Sequence, residues 1–124
     1  MRMEIRVYNL KPLIIKQIVP KKSVGSYRLG IFSEEQFDVL YFGRSDTNLQ
    51  RRLLQHSKDG KFSHFTFELT DSLLEAYRLE CRDWHMKIPF AKNCTHPFAP
   101  KRLPYACPYC LVKKMFNFWR WKKW

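Results

Sequence analysis

Two short runs of aromatic and β-branched residues, joined by four polar ones, constrain this chain more than any other feature. Residues 27–32 and 37–42 both have the composition of strands, and Ser33-Glu34-Glu35-Gln36 lies between them. A connection that short suits an antiparallel hairpin. Gly25-Ser26-Tyr27 opens the first strand and Tyr41-Phe42-Gly43 closes the second, with thirteen residues between the two tyrosines. Folding the hairpin back sets Tyr27 and Tyr41 on adjacent strands, where both could face one groove.

The rest of the core follows from the same kind of pattern. Residues 4–8 alternate and suggest a short strand; residues 13–19 are apolar with two interruptions, before Pro20-Lys21-Lys22 breaks the run. Asp46 or Thr47 is expected to cap a helix to about His56, with Leu49, Leu53 and Leu54 on its inner side. After the turn Lys58-Asp59-Gly60-Lys61, residues 62–67 carry aromatics on both faces of a third strand. Thr70 or Asp71 then caps a second helix through about His85. The expected order is β-β-α-β-α, an α/β (α+β) domain with a three-stranded antiparallel sheet flanked by helices.

The chain has 124 residues, 45% of them hydrophobic and 16% aromatic, enough for a single packed core. Lys and Arg number 23 against 11 Asp and Glu, a net charge of +12. That exceeds what solubility requires and points to a polyanionic partner, nucleic acid first. The N-terminus has no signal-peptide pattern and no apolar run approaches the ~20 residues of a membrane span. The expectation is an intracellular, cytoplasmic protein (nuclear if the cell has a nucleus), whose four cysteines are thiols or metal ligands rather than disulfides.

Hydrolysis of a phosphodiester needs an activated water, stabilisation of charge on phosphorus and help for the leaving oxygen. Tyr27 and Tyr41 could act on the water if cations or acceptors favour the phenolate. Arg52 and His56 are four apart on one helix face, where a guanidinium fork suits phosphate and an imidazole can take a proton. Glu80, on the second helix, could hold Mg²⁺. Each of these residues also has a plain structural reading, as a buried tyrosine, a surface cation or a partner in a helix-surface ion pair, and Arg51 could replace Arg52 as the clamp.

Taken in order, residues 25–96 resemble the GIY-YIG nuclease family. Gly25-Ser26-Tyr27 and Tyr41-Phe42-Gly43 stand where that family has its two triplets. Arg52-Leu53-Leu54-Gln55-His56 is similar to its arginine helix, and Ala76 and Glu80 match the helix presenting its metal-binding glutamate. Asn93 and His96-Pro97 resemble a downstream segment whose asparagine supports the site. The chain departs from the pattern at Ser26, where a hydrophobic residue is usual, and in a longer hairpin. The resemblance implies a metal-dependent DNA endonuclease. Tyr41 would be the general base or position it, Tyr27 would orient water or phosphate, and His56 would assist Tyr41. Arg52 would stabilise the transition state, Glu80 would bind one Mg²⁺ or Mn²⁺, and Asn93 would support the site or touch substrate. The rival expectation is a module of the same fold that binds nucleic acid without cutting it.

On this reading residues 1–97 form the nuclease-like domain and 98–124 a basic, aromatic, Cys/His-containing C-terminal extension. Cys81 and His85 share a helix face, and Cys107-Pro108-Tyr109-Cys110 is a knuckle; the four make a candidate structural Zn²⁺ site, with Cys94 and His96 as competing ligands. The alternative is separate thiols. Residues 112–124 interleave Phe116, Phe118, Trp119, Trp121 and Trp124 with five cations. This tail could dock on the core, stack on DNA bases or lie on a membrane, the membrane being the least expected. The side chains expected on DNA are Arg44, Arg51, Lys113, Lys114, Arg120, Lys122 and Lys123. No separate targeting domain is expected in so small a chain, so specificity would come from a protein partner, from a homodimer, or be absent.

Overall fold

A computed structural model of the chain describes residues 6–86, 96–101, 103 and 105–110. The expected strands are present: β2 (Gly25–Ser33), β3 (Gln36–Ser45) and β4 (His64–Leu69). Ahead of them come β1 (Tyr8–Asn9) and helix α1 (Pro12–Ile18); helices α2 (Leu49–Asp59) and α3 (Leu73–Met86) flank β4 in the chain. The molecule is an α+β fold whose sheet has four antiparallel strands in the order β1-β4-β2-β3. The expected three-stranded sheet therefore needs correction. β1 adds a fourth strand by pairing Tyr8 with Phe65 and Asn9 with His64; the alternation of residues 4–8 suggests a short strand here, which overlaps the observed one at Tyr8 but is not counted into the expected sheet.

The hairpin closes through Ser33↔Gln36 on a two-residue turn, Glu34 and Glu35, at φ 49° and 63°. Two successive positive φ values match the twist of the flanking strands. A bulge between Leu29 and Gly30 shifts the β2–β3 register, so Leu29 faces Tyr41 while Gly30 faces Val39.

Side chains alternate across this sheet, and each face takes its own helices. Tyr27, Leu29 and Phe65 join Leu10, Ile15, Val19, Leu49 and Leu53 in the main core, with Tyr41 and Phe67 packed against it. That face is covered by α1 and α2. Ser26, Arg28, Arg44, Thr66 and Glu68 lie on the opposite face, and α3 covers it with buried Ala76, Tyr77, Cys81 and Asp83. The two helix layers thus sandwich the sheet, with β3 as one edge.

Local chemistry sets the helix ends. Pro12 starts α1, where its missing N–H costs nothing. Asn48, rather than Asp46 or Thr47, caps α2, accepting from the Arg51 amide at 3.1 Å. Ser45 Oγ accepts from the Asn48 amide at 3.0 Å, and Asp46 is engaged by Arg44. Gly60 ends α2 at φ 66°, a conformation other L-residues adopt with strain. Ser72 Oγ accepts from the Glu75 amide at the start of α3, a role expected of Thr70 or Asp71. Among the described residues, no helix is long and apolar enough to cross a membrane.

Candidate functional site

Four of the residues singled out by sequence come together on the α2 face. The Tyr27 hydroxyl lies 2.9 Å from His56 Nε2, and Arg52 Nε donates to it at 3.3 Å. Both α2 residues reach it because they are one helical turn apart. The arrangement is satisfied when Tyr27 donates to a neutral His56 and accepts from Arg52. Tyr41 stacks on Tyr27 at 6.4 Å between ring centroids and meets the His56 ring at 5.4 Å. The hydrogen bond of His56 is therefore to Tyr27, and its meeting with Tyr41 is ring to ring.

Gly43 explains how Tyr27 fits. Its register partner is Tyr27, whose ring crosses over it. A Cβ on Gly43 would stand 2.6 Å from the Tyr27 hydroxyl oxygen and 2.8 Å from Cζ. The glycine of the second triplet is thus the floor under the first triplet's tyrosine.

Burial sets the protonation of this group. It pushes the Tyr27 hydroxyl well above the usual phenol range, against the opposing hydrogen bond from Arg52. It also lowers His56 from its ordinary value, and the Arg52 charge adds to that. Tyr27 is 1% exposed and Tyr41 only half-buried, so Tyr41 is the phenol that solvent or a ligand can reach.

Glu80 lies elsewhere, on the face covered by α3. Its carboxylate accepts from Arg44 Nη1 at 2.6 Å, and Arg44 Nε donates to Asp46 at 2.9 Å. Arg44 also donates to the Phe98 carbonyl and lies over the Tyr77 ring, 5.1 Å from its centroid. Arg44, expected on DNA, is therefore turned inward in this structure. Burial raises Glu80 above the usual carboxylate range; Arg44 pulls it back, while Asp46 and Asp83 push it further up.

One cleft connects the two sets. It has a volume of about 300 Å³ and is lined by residues 44–48 with Arg51, Arg52 and Gln55. Arg52, partner of Tyr27, and Arg44, partner of Glu80, both border it. Arg51 is exposed there, at the N-terminal turn of α2. Asn93, Lys113, Lys114, Arg120, Lys122 and Lys123 lie outside the described residues.

A second cluster forms at the C-terminal end of α3. His85, His96, Cys107 and Cys110 bring one ligand atom each to within 4.8 Å of one another, a group that could hold a metal ion. It differs from the set first expected: His96 is in it and Cys81 is not. Cys81 is fully buried one helical turn before His85, where burial pushes its thiol up to about 12. It contacts Tyr77 and Cys107. Cys94, the other competing ligand, lies outside the described residues. The cluster crosses the expected boundary at residue 97, so it ties the extension to α3.

Sequence reasoning missed three contributors: Gly43 as a floor, Asp46 as a partner of Arg44, and the Phe98 carbonyl. Arg44 and Asp46 at a strand end offered a local signal; the carbonyl offered none. Comparison with protein-family models, with curated proteins and with solved structures returns no match.

Proposed function

We propose that this protein is a metal-dependent DNA endonuclease of the GIY-YIG type, hydrolysing phosphodiester bonds. The observation that carries the reading is Arg52, which bonds the Tyr27 hydroxyl and borders the cleft shared with Arg44. A phosphate in that cleft would meet Arg51 and Arg52, and Tyr41, outside its lining, is the accessible phenol of the tyrosine pair.

In this mechanism the chain's residues divide the work. Arg52 holds a non-bridging oxygen and offsets the charge that builds on phosphorus. Tyr41 would act on the attacking water as the general base, in its phenolate form with its own proton already given to solvent, or would position the base. His56, kept neutral by burial, holds Tyr27, and the Tyr27 ring fixes Tyr41 by stacking. Asn93 would support the site, as the resemblance implies. Glu80 is the residue that would hold Mg²⁺ or Mn²⁺. Burial, and to a lesser degree the charges of Asp46 and Asp83, disfavour its bare carboxylate, a cost that a cation would offset if Arg44 gave up part of that carboxylate. When bound, the ion would supply charge neutralisation at the phosphate and leaving oxygen.

The engagement of Glu80 by Arg44 favours a second reading, a module that binds nucleic acid without cutting it. Supercoiled plasmid incubated with Mg²⁺ or Mn²⁺ separates the two. Wild type is expected to nick or linearise it, and Glu80→Ala, Tyr41→Phe and Arg52→Ala to lose cleavage while keeping most DNA binding. Intact, salt-sensitive binding with no cutting by wild type would move the conclusion to the silent module. Normal cutting by Glu80→Ala would remove Glu80 as the metal ligand.

A further inference from the structure

The cluster at the C-terminal end of α3 has the ligand chemistry of a zinc site. His85 Nε2 lies 3.2 Å from Cys110 Sγ and 3.4 Å from Cys107 Sγ, and His96 Nε2 lies 3.3 Å from Cys110 Sγ. A tetrahedron with Zn–N of about 2.05 Å and Zn–S of about 2.3 Å has N···S edges of about 3.6 Å. The three observed N···S distances are slightly shorter than that, and all four ligand atoms lie within 4.8 Å of one another. Two thiolates and two imidazoles select zinc over magnesium or calcium, which take oxygen ligands.

A second observation, independent of those distances, concerns the tautomer. His96 Nδ1 lies 2.8 Å from the Pro97 carbonyl, which can only accept, so Nδ1 carries the proton. That leaves the Nε2 lone pair pointing into the cluster. A backbone carbonyl holding the far nitrogen is the usual support of a metal-bound histidine.

We propose that His85, His96, Cys107 and Cys110 hold one structural Zn²⁺ that clasps residues 96–110 onto the end of α3. The consequence reaches the other site. His96 is two residues from Phe98, whose carbonyl accepts from Arg44, and Arg44 holds Glu80. The clasp therefore keeps in place the segment that fixes the Arg44 guanidinium. Few regular elements hold that segment otherwise: a single helical turn at residues 108–110 is present among its described residues.

Elemental analysis of the purified full chain tests this directly. One zinc per chain is expected, with tetrahedral Co²⁺ replacing it to give intense visible bands and thiolate charge transfer. His96→Asn and Cys110→Ser should each lose the metal, whereas Cys81→Ser and the control His64→Asn should keep it. A chelator should lower the Tm of wild type and raise hydrogen exchange across residues 96–101. Wild type lacking zinc, or holding Cys107 and Cys110 as a disulfide, would overturn the site whatever the variants do. Loss of zinc in Cys81→Ser with retention in His96→Asn would overturn the ligand set. All these readouts are independent of cleavage, so the zinc site stands or falls apart from the nuclease reading.

Discussion

Gly43 and His56 act on the same phenol from opposite sides. A methyl group at position 43 has no room unless the Tyr27 ring moves, because its nearest neighbours are the hydroxyl oxygen and Cζ. Gly43→Ala is expected to cut plasmid cleavage by about 100-fold, the order of loss that an ångström-scale misplacement brings. Cleavage near the wild-type rate would mean that the position of Tyr27 does not matter to the chemistry. His56 makes a separate prediction about pH. Its folded-state pKa lies below the ordinary 6.5, because burial and Arg52 oppose its charge. Between those two values the unfolded chain binds more protons, so stability rises with pH through that window and is complete above 6.5. Denaturant titrations from acid to neutral pH should show His56→Gln losing that part of the slope. An unchanged slope would place the proton uptake on other groups. That Arg52 and His56 share a face was legible in the sequence, since an i, i+4 pair on a helix must do so; that His56 bonds Tyr27 rather than assisting Tyr41 was not. The inward turn of Arg44 was not, because its partner Glu80 is 36 residues away and local spacing carries no record of it.

Between the sheet and α3 the contact is electrostatic as much as apolar. Arg28 Nη2 donates to Asp83 at 2.5 Å, and the Asp83 side chain is 2% exposed. Removing the cation from a buried pair leaves an unsatisfied charge, which typically costs about 3–5 kcal/mol. Arg28→Met should fall at the low end, since Arg82 also reaches Asp83 at 3.4 Å. Pairing it with Asp83→Leu should recover most of the loss in denaturant unfolding. A double variant no more stable than the single one would argue against the desolvation account. The strands β2, β3 and β4 and the helices α2 and α3 could be read from alternation and from apolar spacing. Helix α1 could not: seven residues containing three isoleucines look as much like a buried strand as a helix. The cap of α2 was ambiguous because Asp46, Thr47 and Asn48 are all capping residues. The structure assigns Asp46 to its near neighbour Arg44 and leaves the cap to Asn48.

At the scale of the molecule, charge and chain order matter most. With a net charge of +12, DNA affinity should fall steeply as salt rises, since each phosphate contact releases counterions. Arg51→Ala should weaken binding and make the slope of log K against log salt shallower by about one. An unaltered slope would take Arg51 off the interface. The two-residue turn at Glu34 and Glu35 bears on a different property, the speed at which the chain finds its fold. The pairing of β2 with β3 runs outward from that turn, whereas β2–β4 pairing spans α2 and the His/Cys cluster joins residues as far apart as 85 and 110. Closing the hairpin therefore requires two side-chain-bearing residues to enter a backbone region that suits an asparagine followed by a glycine. The double substitution Glu34→Asn with Glu35→Gly removes that cost and should accelerate refolding. In a chevron the folding arm would rise while the unfolding arm stays put, marking this tip as the place where the sheet begins. A change confined to the unfolding arm would instead mean that the two glutamates settle into their turn only after the sheet has assembled around them.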